Sequence, residues 1–367
     1  PPAGSLALIN RDLSHPDFLK PILLIFLLMF LGRFTWIAIG NLLFRIVSDR
    51  EKLPFPMARI GAAGAMAMAE DPSEKGNWRW RWFSLGTMIG IVFGFFLVGI
   101  PALTGLFLSK PLTLFPIPWA DFTPEVERWL PTSIVTLSVD IGALLWGMVL
   151  PFYSTVGMSV GILGSTLVLS PLLYKLGFFP SWRPGAGAIS TSFILQFDFW
   201  ISAGMGLGFA IAAIGLYQVG KDILRHRREN RGKTSSGSFL PPPPPGRGDY
   251  SVKLAIGAFF ISTGGYVLIA HKLLPLFPIY VILIFAFVVT PLSSYVDARM
   301  RGMTAGGFDM PGVKLGSVLM TGYKGVDFWF APLPISNYGG TAQFFKELEL
   351  TRTKFTSVLK AELVIFP

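Results

Sequence analysis

Residues 21–44 read PILLIFLLMFLGRFTWIAIGNLLF, an apolar run that a single charge, Arg33, interrupts. A helix needs roughly 20 apolar residues to cross a hydrocarbon core of about 30 Å, and this run is long enough. Runs of similar character recur along the chain, and helices that are apolar on every side have no face to present to water. The sequence therefore predicts an integral membrane protein of the all-α class, built as a polytopic bundle of transmembrane helices.

The composition agrees with this prediction. Hydrophobic residues make up 52% of the 367 residues and charged residues only 14%, whereas ordinary soluble domains carry about 25% charge. The net charge of +10 comes from Lys and Arg that lie between the apolar runs, so we interpret it as a determinant of topology and expect no nucleic-acid partner. The chain has no Cys and three His, which excludes disulfides and argues against a Cys/His metal site. No cofactor is expected.

Eight segments are predicted to cross or enter the membrane: 19–47, 53–69, 82–109, 130–150, 152–176, 191–218, 252–271 and 278–296. The second of them is short and rich in Ala and Gly, so whether it crosses or re-enters stays open. The predicted organisation is a membrane segment 1–218, a basic, proline-rich linker 219–250 and a second membrane segment 251–367. The chain ends in an apolar stretch and begins without Met, so we expect it to be an excerpt of a longer protein.

The linker carries seven Lys or Arg between Lys221 and Arg247. Cytoplasmic loops are enriched in these residues, and counting spans back from the linker puts the basic loop before the segment 82–109 on the same side. We therefore expect the linker to be cytoplasmic and solvated. Its proline run, residues 241–245, is typical of a stiff polyproline II spacer, and an SH3-type ligand is the alternative.

Glycines repeat at four-residue spacing within several spans, for example Gly86, Gly90 and Gly94. Such repeats let helix backbones approach each other closely in lipid. The spacing therefore predicts a helix-packing seam on the segment 82–109.

Charged residues inside spans are costly and are therefore the first candidates for function. Four of them lie away from the predicted span ends: Arg33, Arg59, Asp140 and Asp198. Asp140 is expected at the middle of its span. Either these residues form structural ion pairs, or one Asp carries a proton in a transport cycle because burial raises its pKa. Gln196 belongs to a polar cluster around Asp198 that either lines a cavity or caps a helix.

Glycine and proline break the chain repeatedly between residues 302 and 340. Irregular backbone survives at membrane depth only where protein or a watery cavity satisfies its polar groups, and broken hydrophobic segments point to a transporter's substrate site. Four side chains in this region are therefore candidates for substrate contact: Tyr323, Asp327, Trp329 and Asn337. An ordinary loop at the cytoplasmic face is the alternative. The complete fold prediction is a helical bundle with broken or re-entrant segments.

Five stretches resemble prokaryotic members of the oligopeptide transporter (OPT) superfamily. They are KLPFPMA at 52–58, NWRWRWFSLG at 77–86, PIPWAD at 116–121, GMVLPF at 147–152 and SVLMTGYKGVDFWFAP at 317–332. The resemblance implies a secondary transporter, usually proton-coupled, that moves oligopeptides or metal chelates across the inner membrane of a prokaryote. The Asn-Pro-Gly and Lys-Ile-Pro-Pro-Arg motifs of eukaryotic members are missing, so the substrate stays open.

Two other functions stay open from the sequence: a non-transporting membrane subunit and, less favoured, a membrane-embedded enzyme. The chain has no zinc-protease motif, phosphate-binding loop or serine nucleophile elbow, so no enzymatic activity is expected. The expected partners are the lipid bilayer, a small peptide or metal chelate, and protons. The oligomeric state stays open.

Overall fold

The computed structural model describes residues 15–69, 78–229, 240–304, 306–310 and 312–365. Within these ranges the chain is largely helical, with one antiparallel pair of short strands, β1 (Ala120–Asp121) and β2 (Thr136–Leu137). The helices are α1 (Pro16–Arg50), α2 (Pro56–Ala69), α3 (Trp78–Gly105), α4 (Thr123–Val126), α5 (Ile141–Val149), α6 (Phe152–Lys175), α7 (188–229), α8 (Val252–Leu273), α9 (Ile279–Thr304), α10 (Val313–Thr321), α11 (Asp327–Phe330), α12 (Gly340–Leu350) and α13 (Phe355–Ile365).

Six helices among the described residues are long and apolar enough to cross a membrane: α1, α3, α6, the first part of α7 (Ala188–Ala210), α8 and α9. They coincide with six of the eight predicted spans. The prediction of an all-α, polytopic membrane protein is confirmed.

The other two predicted spans differ from the structure. The segment 53–69 forms α2, which has 14 residues and is therefore about 21 Å long, too short to cross a core of roughly 30 Å alone. The prediction of a span over 130–150 is wrong, because only the nine residues of α5 are helical there. Its first part runs through a turn and strand β2 instead.

Five of the six long helices contain a π-helical turn. These turns are Arg45–Arg50 in α1, Phe95–Gly99 in α3, Gly164–Leu169 in α6, Gln196–Trp200 in α7 and Phe285–Val289 in α9. A π turn closes its hydrogen bonds over one residue more than an α turn, and such turns are frequent at functional sites. The turn in α7 contains Asp198, and the turn in α9 ends directly before Thr290.

The chain divides into two compact units, a first unit of residues 1–58 and 209–367 and a second unit of residues 59–208. In the first unit, α1 packs along α8 and against α12. The core at the end of α1 is aromatic, because Phe44, Phe345 and Phe355 are buried together. The ring centroids of Phe345 and Phe355 lie 4.9 Å apart in an edge-to-face contact, the arrangement that aromatic pairs prefer.

Arg247 anchors the end of the linker in the first unit. Its buried guanidinium donates hydrogen bonds to both carboxylate oxygens of Asp49 (2.6 and 2.9 Å), to both of Asp249 (2.7 and 3.0 Å) and to Glu349 (3.0 Å). Burial alone would lower the pKa of Arg247, but the hydrogen bonds and charges of Asp49 and Asp249 raise it above its ordinary value. The cation is therefore permanent and links three separate parts of the sequence.

The expectation of a solvated linker is wrong for its last residues. Leu240 is buried, and Nη2 of Arg45 donates to the carbonyl oxygen of Pro241 at 2.6 Å. Residues 242–246 of the proline-rich stretch remain exposed. The sequence pattern treated Arg247 as a solvated charge, whereas the carboxylates of Asp49, Asp249 and Glu349 surround it. Residues 219–229 continue α7, and residues 230–239 lie outside the described residues.

Asp121 organises the polar end of the second unit. Its carboxylate accepts hydrogen bonds from the backbone nitrogens of Ala188 (2.7 Å) and Thr123 (2.9 Å). Ala188 is the first residue of α7, so the carboxylate lies at the positive end of that helix. The bond from Ala188, followed by those from Thr123, lowers the pKa of Asp121 below its ordinary value against the opposing effect of burial. Glu127 holds the loop that precedes α7, because its carboxylate accepts a hydrogen bond from the backbone nitrogen of Gly185 at 2.8 Å.

The predicted glycine seam on α3 has no partner helix within the second unit. A Cβ atom placed at Gly86, Gly90 or Gly94 would meet no described atom within 4 Å, and no residue of α3 is buried. The seam stays a prediction.

Candidate functional site

Two glycines shape the broken region that follows α9. Gly312 before α10 and Gly322 after it both have a positive φ, 75° and 65°, a conformation that residues with a Cβ adopt only with strain. α10 therefore begins and ends within nine residues. The region then folds back on α8 and α9. Phe328 of α11 is fully buried there, with its ring 4.8 Å from that of Phe277.

Residues 331–339, here called the extended segment, run beside α9 without forming helix or strand. Hydroxyl groups of α9 supply the partners that the buried backbone of this segment needs. Oγ1 of Thr290 donates to the carbonyl oxygen of Pro334 (2.7 Å) and accepts from the backbone nitrogen of Ser336 (3.2 Å). Oγ of Ser294 accepts from the backbone nitrogen of Tyr338 (2.9 Å). The extended segment is thus fastened to the side of a long apolar helix.

Asp297 fixes the far end of the extended segment. It is 1% exposed, and its carboxylate accepts from the backbone nitrogen of Phe308 (2.6 Å) and from Nε of Arg301 (2.9 Å). Gly339 lies directly against it. A Cβ atom at position 339 would overlap Asp297 and lie 2.6 Å from the backbone nitrogen of Ala298. The close approach therefore requires a residue without a side chain.

Hydroxyl groups from the middle of three long helices meet beside the extended segment. Thr35, Thr263 and Thr290 lie near the midpoints of α1, α8 and α9. A small cavity joins them to the extended segment. We call its lining residues the central hydroxyl cluster: Thr35, Thr263, Tyr266, Thr290, Pro334, Ser336 and Tyr338.

The four candidates predicted in the broken region lie around this site, not within it. The hydroxyl of Tyr323 donates to the carboxylate of Asp327, with oxygen separations of 3.0 and 3.1 Å. Trp329 is 48% exposed. Asn337 serves the fold, because its Nδ2 donates to the carbonyl oxygen of Phe308 (2.6 Å) and its Oδ1 accepts from the backbone nitrogen of Gly339 (3.0 Å). Substrate contact by any of the four stays a prediction.

The four charged residues predicted inside spans lie in different surroundings. Nε of Arg33 pairs with the carboxylate of Glu362 in α13 at 3.2 Å. Arg59 is exposed on α2. The prediction of ion pairs among the four is therefore wrong for Arg33, because its partner is Glu362, a carboxylate of α13 that was not among the four.

Asp140 and Asp198, the two acidic residues among the four, occupy different positions relative to their helices. Asp140 does not lie inside a helix: it precedes α5, and its carboxylate accepts from the backbone nitrogen of Gly142 at 2.8 Å, as an N-cap does. Asp198 lies inside α7, in the π turn that begins at Gln196. Its carboxylate accepts from the hydroxyl and the backbone nitrogen of Ser181, at 3.3 and 3.4 Å.

Sequence reasoning missed the central hydroxyl cluster and Asp297. The available signal was a hydroxyl near the midpoint of each of three apolar runs, a position where polar side chains are uncommon. Asp297 was missed because it directly follows the predicted end of its span at residue 296. Within the described ranges, no group of three or more His, Asp or Glu is arranged to hold a metal ion.

Comparison with protein families gives one match, to a family model described as OPT oligopeptide transporter protein, over residues 3–321. The matched range runs from before α1 to the end of α10 and covers most of the chain. Comparison with curated proteins and with solved structures gives no significant match.

Proposed function

The chain belongs to the oligopeptide transporter (OPT) family, and from this premise we propose that it acts as a proton-coupled secondary transporter that moves oligopeptides or metal chelates. The family is one of transporters, and the six long apolar helices make the chain an integral membrane protein. The proposed location is the cytoplasmic membrane of a prokaryote.

The observation that carries the proposal is the extended segment beside the midpoints of α1, α8 and α9. Non-helical backbone at membrane depth is tolerated where it lines a cavity or is buried in protein. In secondary transporters, substrate sites lie near the bilayer midplane and are built from interrupted helices. The central hydroxyl cluster and the peptide groups of the extended segment offer neutral donors and acceptors, which match the peptide groups of an oligopeptide.

The site is closed in this structure, since the cavity leaves room of only ≈ 10 Å³ for the centre of a water molecule. Substrate entry therefore requires a movement. We assign that movement to the extended segment, because hydrogen bonds to two hydroxyls of α9 hold it in place and it has no ladder of its own. Such a segment is a natural gating element in a transport cycle.

A single cysteine at Ser336 tests the proposed function in this naturally cysteine-free chain. In reconstituted protein, a small polar thiol reagent is expected to modify Ser336→Cys slowly. Tetra-alanine or a ferric citrate chelate is expected to change that rate if either is a substrate, because Ser336 lines the site. Met320→Cys is the control, since Met320 is 90% exposed on α10. Neither compound is expected to change its labelling rate.

Uptake of the same compounds into proteoliposomes separates a transporter from a non-transporting subunit. Two results together would contradict the proposal. The labelling rate of Ser336→Cys would be unchanged by every peptide and chelate tried, and uptake would be no greater than in protein-free liposomes. Substrate-sensitive labelling without uptake would favour a binding subunit.

Proton coupling is assigned to Asp198. This carboxylate lies in the middle of the candidate span Ala188–Ala210, within a π turn, and its described partner is the neutral Ser181. A carboxylate whose partner is a neutral hydroxyl can take up a proton without an ion pair being broken. Asp297 is held by Arg301 and Asp140 by its helix cap, so both are poorer candidates.

Asp198→Asn is expected to leave substrate exchange across proteoliposomes intact and to reduce accumulation driven by a pH gradient to the level of protein-free liposomes. The variant keeps the shape of the side chain but removes the carboxylate. Asp140→Asn is the matched control, because Asn is as good an N-cap as Asp. Equal accumulation by both variants and the unaltered protein would refute the assignment.

The linker is proposed to be cytoplasmic, on the strength of its seven basic residues. Trypsin is expected to cut residues 219–239 in inside-out vesicles and to spare them in right-side-out vesicles. Cleavage after Arg247 is expected to be much slower, because three carboxylates bury its side chain. Cutting from the opposite side only, or from both sides equally, would overturn this topology.

A further inference from the structure

The cavity of the central hydroxyl cluster is small, and its lining is rich in hydroxyl groups. Six of its seven lining residues carry a hydroxyl group, and Pro334 is the exception. Thr35, Thr263 and Thr290 are each 3% exposed. The cavity is therefore a neutral, hydrogen-bonding space set between apolar helices.

Oγ1 of Thr263 lacks a hydrogen-bond partner among the described residues. It is buried, whereas neighbouring hydroxyls of the cavity do have partners. Oγ1 of Thr35 donates to Oγ of Ser262 at 2.8 Å, and Oγ1 of Thr290 serves both Pro334 and Ser336. A buried hydroxyl without a partner destabilises the folded state, because it has lost its hydrogen bond to water and gained none in exchange. A ligand that hydrogen-bonds Thr263 would remove this cost.

In the closed structure, the size and charge of the cavity favour one molecule of water as its occupant. The room of ≈ 10 Å³ is at the lower limit of about 10–15 Å³ that one water molecule needs, and it excludes a peptide. The lining residues carry no carboxylate, and a dehydrated cation without a counter-charge is strongly disfavoured in an apolar interior. Water instead needs two to four neutral polar partners, which this lining offers.

We propose that the cavity holds one ordered water molecule that bridges Thr263 of α8 to the hydroxyls of the extended segment. The water then joins α8 to a segment that also hydrogen-bonds to α9. When the extended segment moves, the water can change its hydrogen-bond partners. A direct hydrogen bond between two side chains at the same place would have to break. This inference concerns the resting structure and does not depend on the identity of any substrate.

X-ray hydroxyl-radical labelling in detergent tests the proposal, because radicals generated from a bound water oxidise the side chains beside it. Tyr338 is expected to be oxidised more than its partial burial predicts. Thr263→Val keeps the volume of the side chain but removes its hydroxyl, and it is expected to lower oxidation of Tyr338 several-fold. Thr263→Ser keeps the hydroxyl and is expected to retain oxidation. Phe345, which is 2% exposed in an apolar core, is the reference for a dry site.

Oxidation of Tyr338 that is as low as that of Phe345, or that is the same in Thr263→Val and in the unaltered protein, would overturn the water site. A melting temperature that rises with NaCl but not with choline chloride, and only while Thr263 is present, would identify a sodium ion as the occupant and would also overturn it. If Thr263→Val fails to fold, oxidation of Tyr338 against that of Phe345 in the unaltered protein and the salt titration still decide the matter.

Discussion

Replacing Arg247 by methionine is expected to lower the free energy of unfolding by about 3–5 kcal/mol, the cost of leaving a buried charge without its partner. Arg247 is 8% exposed and lies between Asp49 and Asp249, whose side chains are 12% and 3% exposed. Methionine fills much of the same volume but leaves both carboxylates without their shared cation. The measurement is equilibrium unfolding in detergent micelles.

A triple variant, Arg247→Met with Asp49→Asn and Asp249→Asn, is expected to recover part of the loss, because it removes the stranded charges. Arg128→Met is the control for a lost surface cation, since Arg128 is exposed in the second unit and exposed charges contribute about 0–1 kcal/mol. An Arg247→Met protein as stable as the Arg128→Met protein would show that water, not protein, surrounds the guanidinium.

Gly339→Ala is expected to displace the extended segment from α9 and to abolish substrate-dependent protection at the site. Gly339 has φ −62°, which alanine adopts freely, so the effect is steric alone. The added methyl group would overlap Asp297 and lie 2.6 Å from the backbone nitrogen of Ala298. Backbone cannot move aside as a side-chain end can, and the cost should reach or exceed the upper end of the 1–3 kcal/mol typical of overpacking.

Gly306→Ala is the matched control in the same broken region, because its methyl group would meet only Oγ1 of Thr304 at 3.7 Å, an ordinary contact. Thermal unfolding and the labelling rate of Ser336→Cys are measured in both backgrounds. Labelling is expected to accelerate with Gly339→Ala and to stay unchanged with Gly306→Ala. If the two alanine variants behave alike, the extended segment does not press against α9 at residue 339.

The helical fold was predictable because lipid imposes one simple rule, which is that about 20 apolar residues form a crossing helix. Six spans obey it. The segment 130–150 fails because the rule considers hydropathy and not turns, and the chain turns before β2. Similarly, the broken region after α9 was located from its glycines and prolines, whose backbone preferences are local.

The partners of individual side chains were not predictable, since they are set by contacts distant in the sequence. Arg33 meets Glu362, and Arg247 meets Asp49, across separations that no spacing rule reaches. Asn337 was predicted from the sequence as a substrate contact, and its hydrogen bonds to the backbone of Phe308 and Gly339 could not be foreseen. The charged residues drew attention first, and the hydroxyls of Thr35, Thr263 and Thr290 were passed over because a hydroxyl is a weaker signal than a charge in an apolar run.

The π turn Phe285–Val289 decides which side chains in the second half of α9 face the extended segment. One residue of an α-helix corresponds to a rotation of about 100°, so the extra residue of this turn sets the direction of every side chain after it. Thr290, Ser294 and Asp297 all follow the turn and all face the extended segment. Deleting a single residue between 285 and 289 would therefore turn all three away together. In relatives of this chain, a one-residue insertion or deletion here would remodel the site more than any substitution within it.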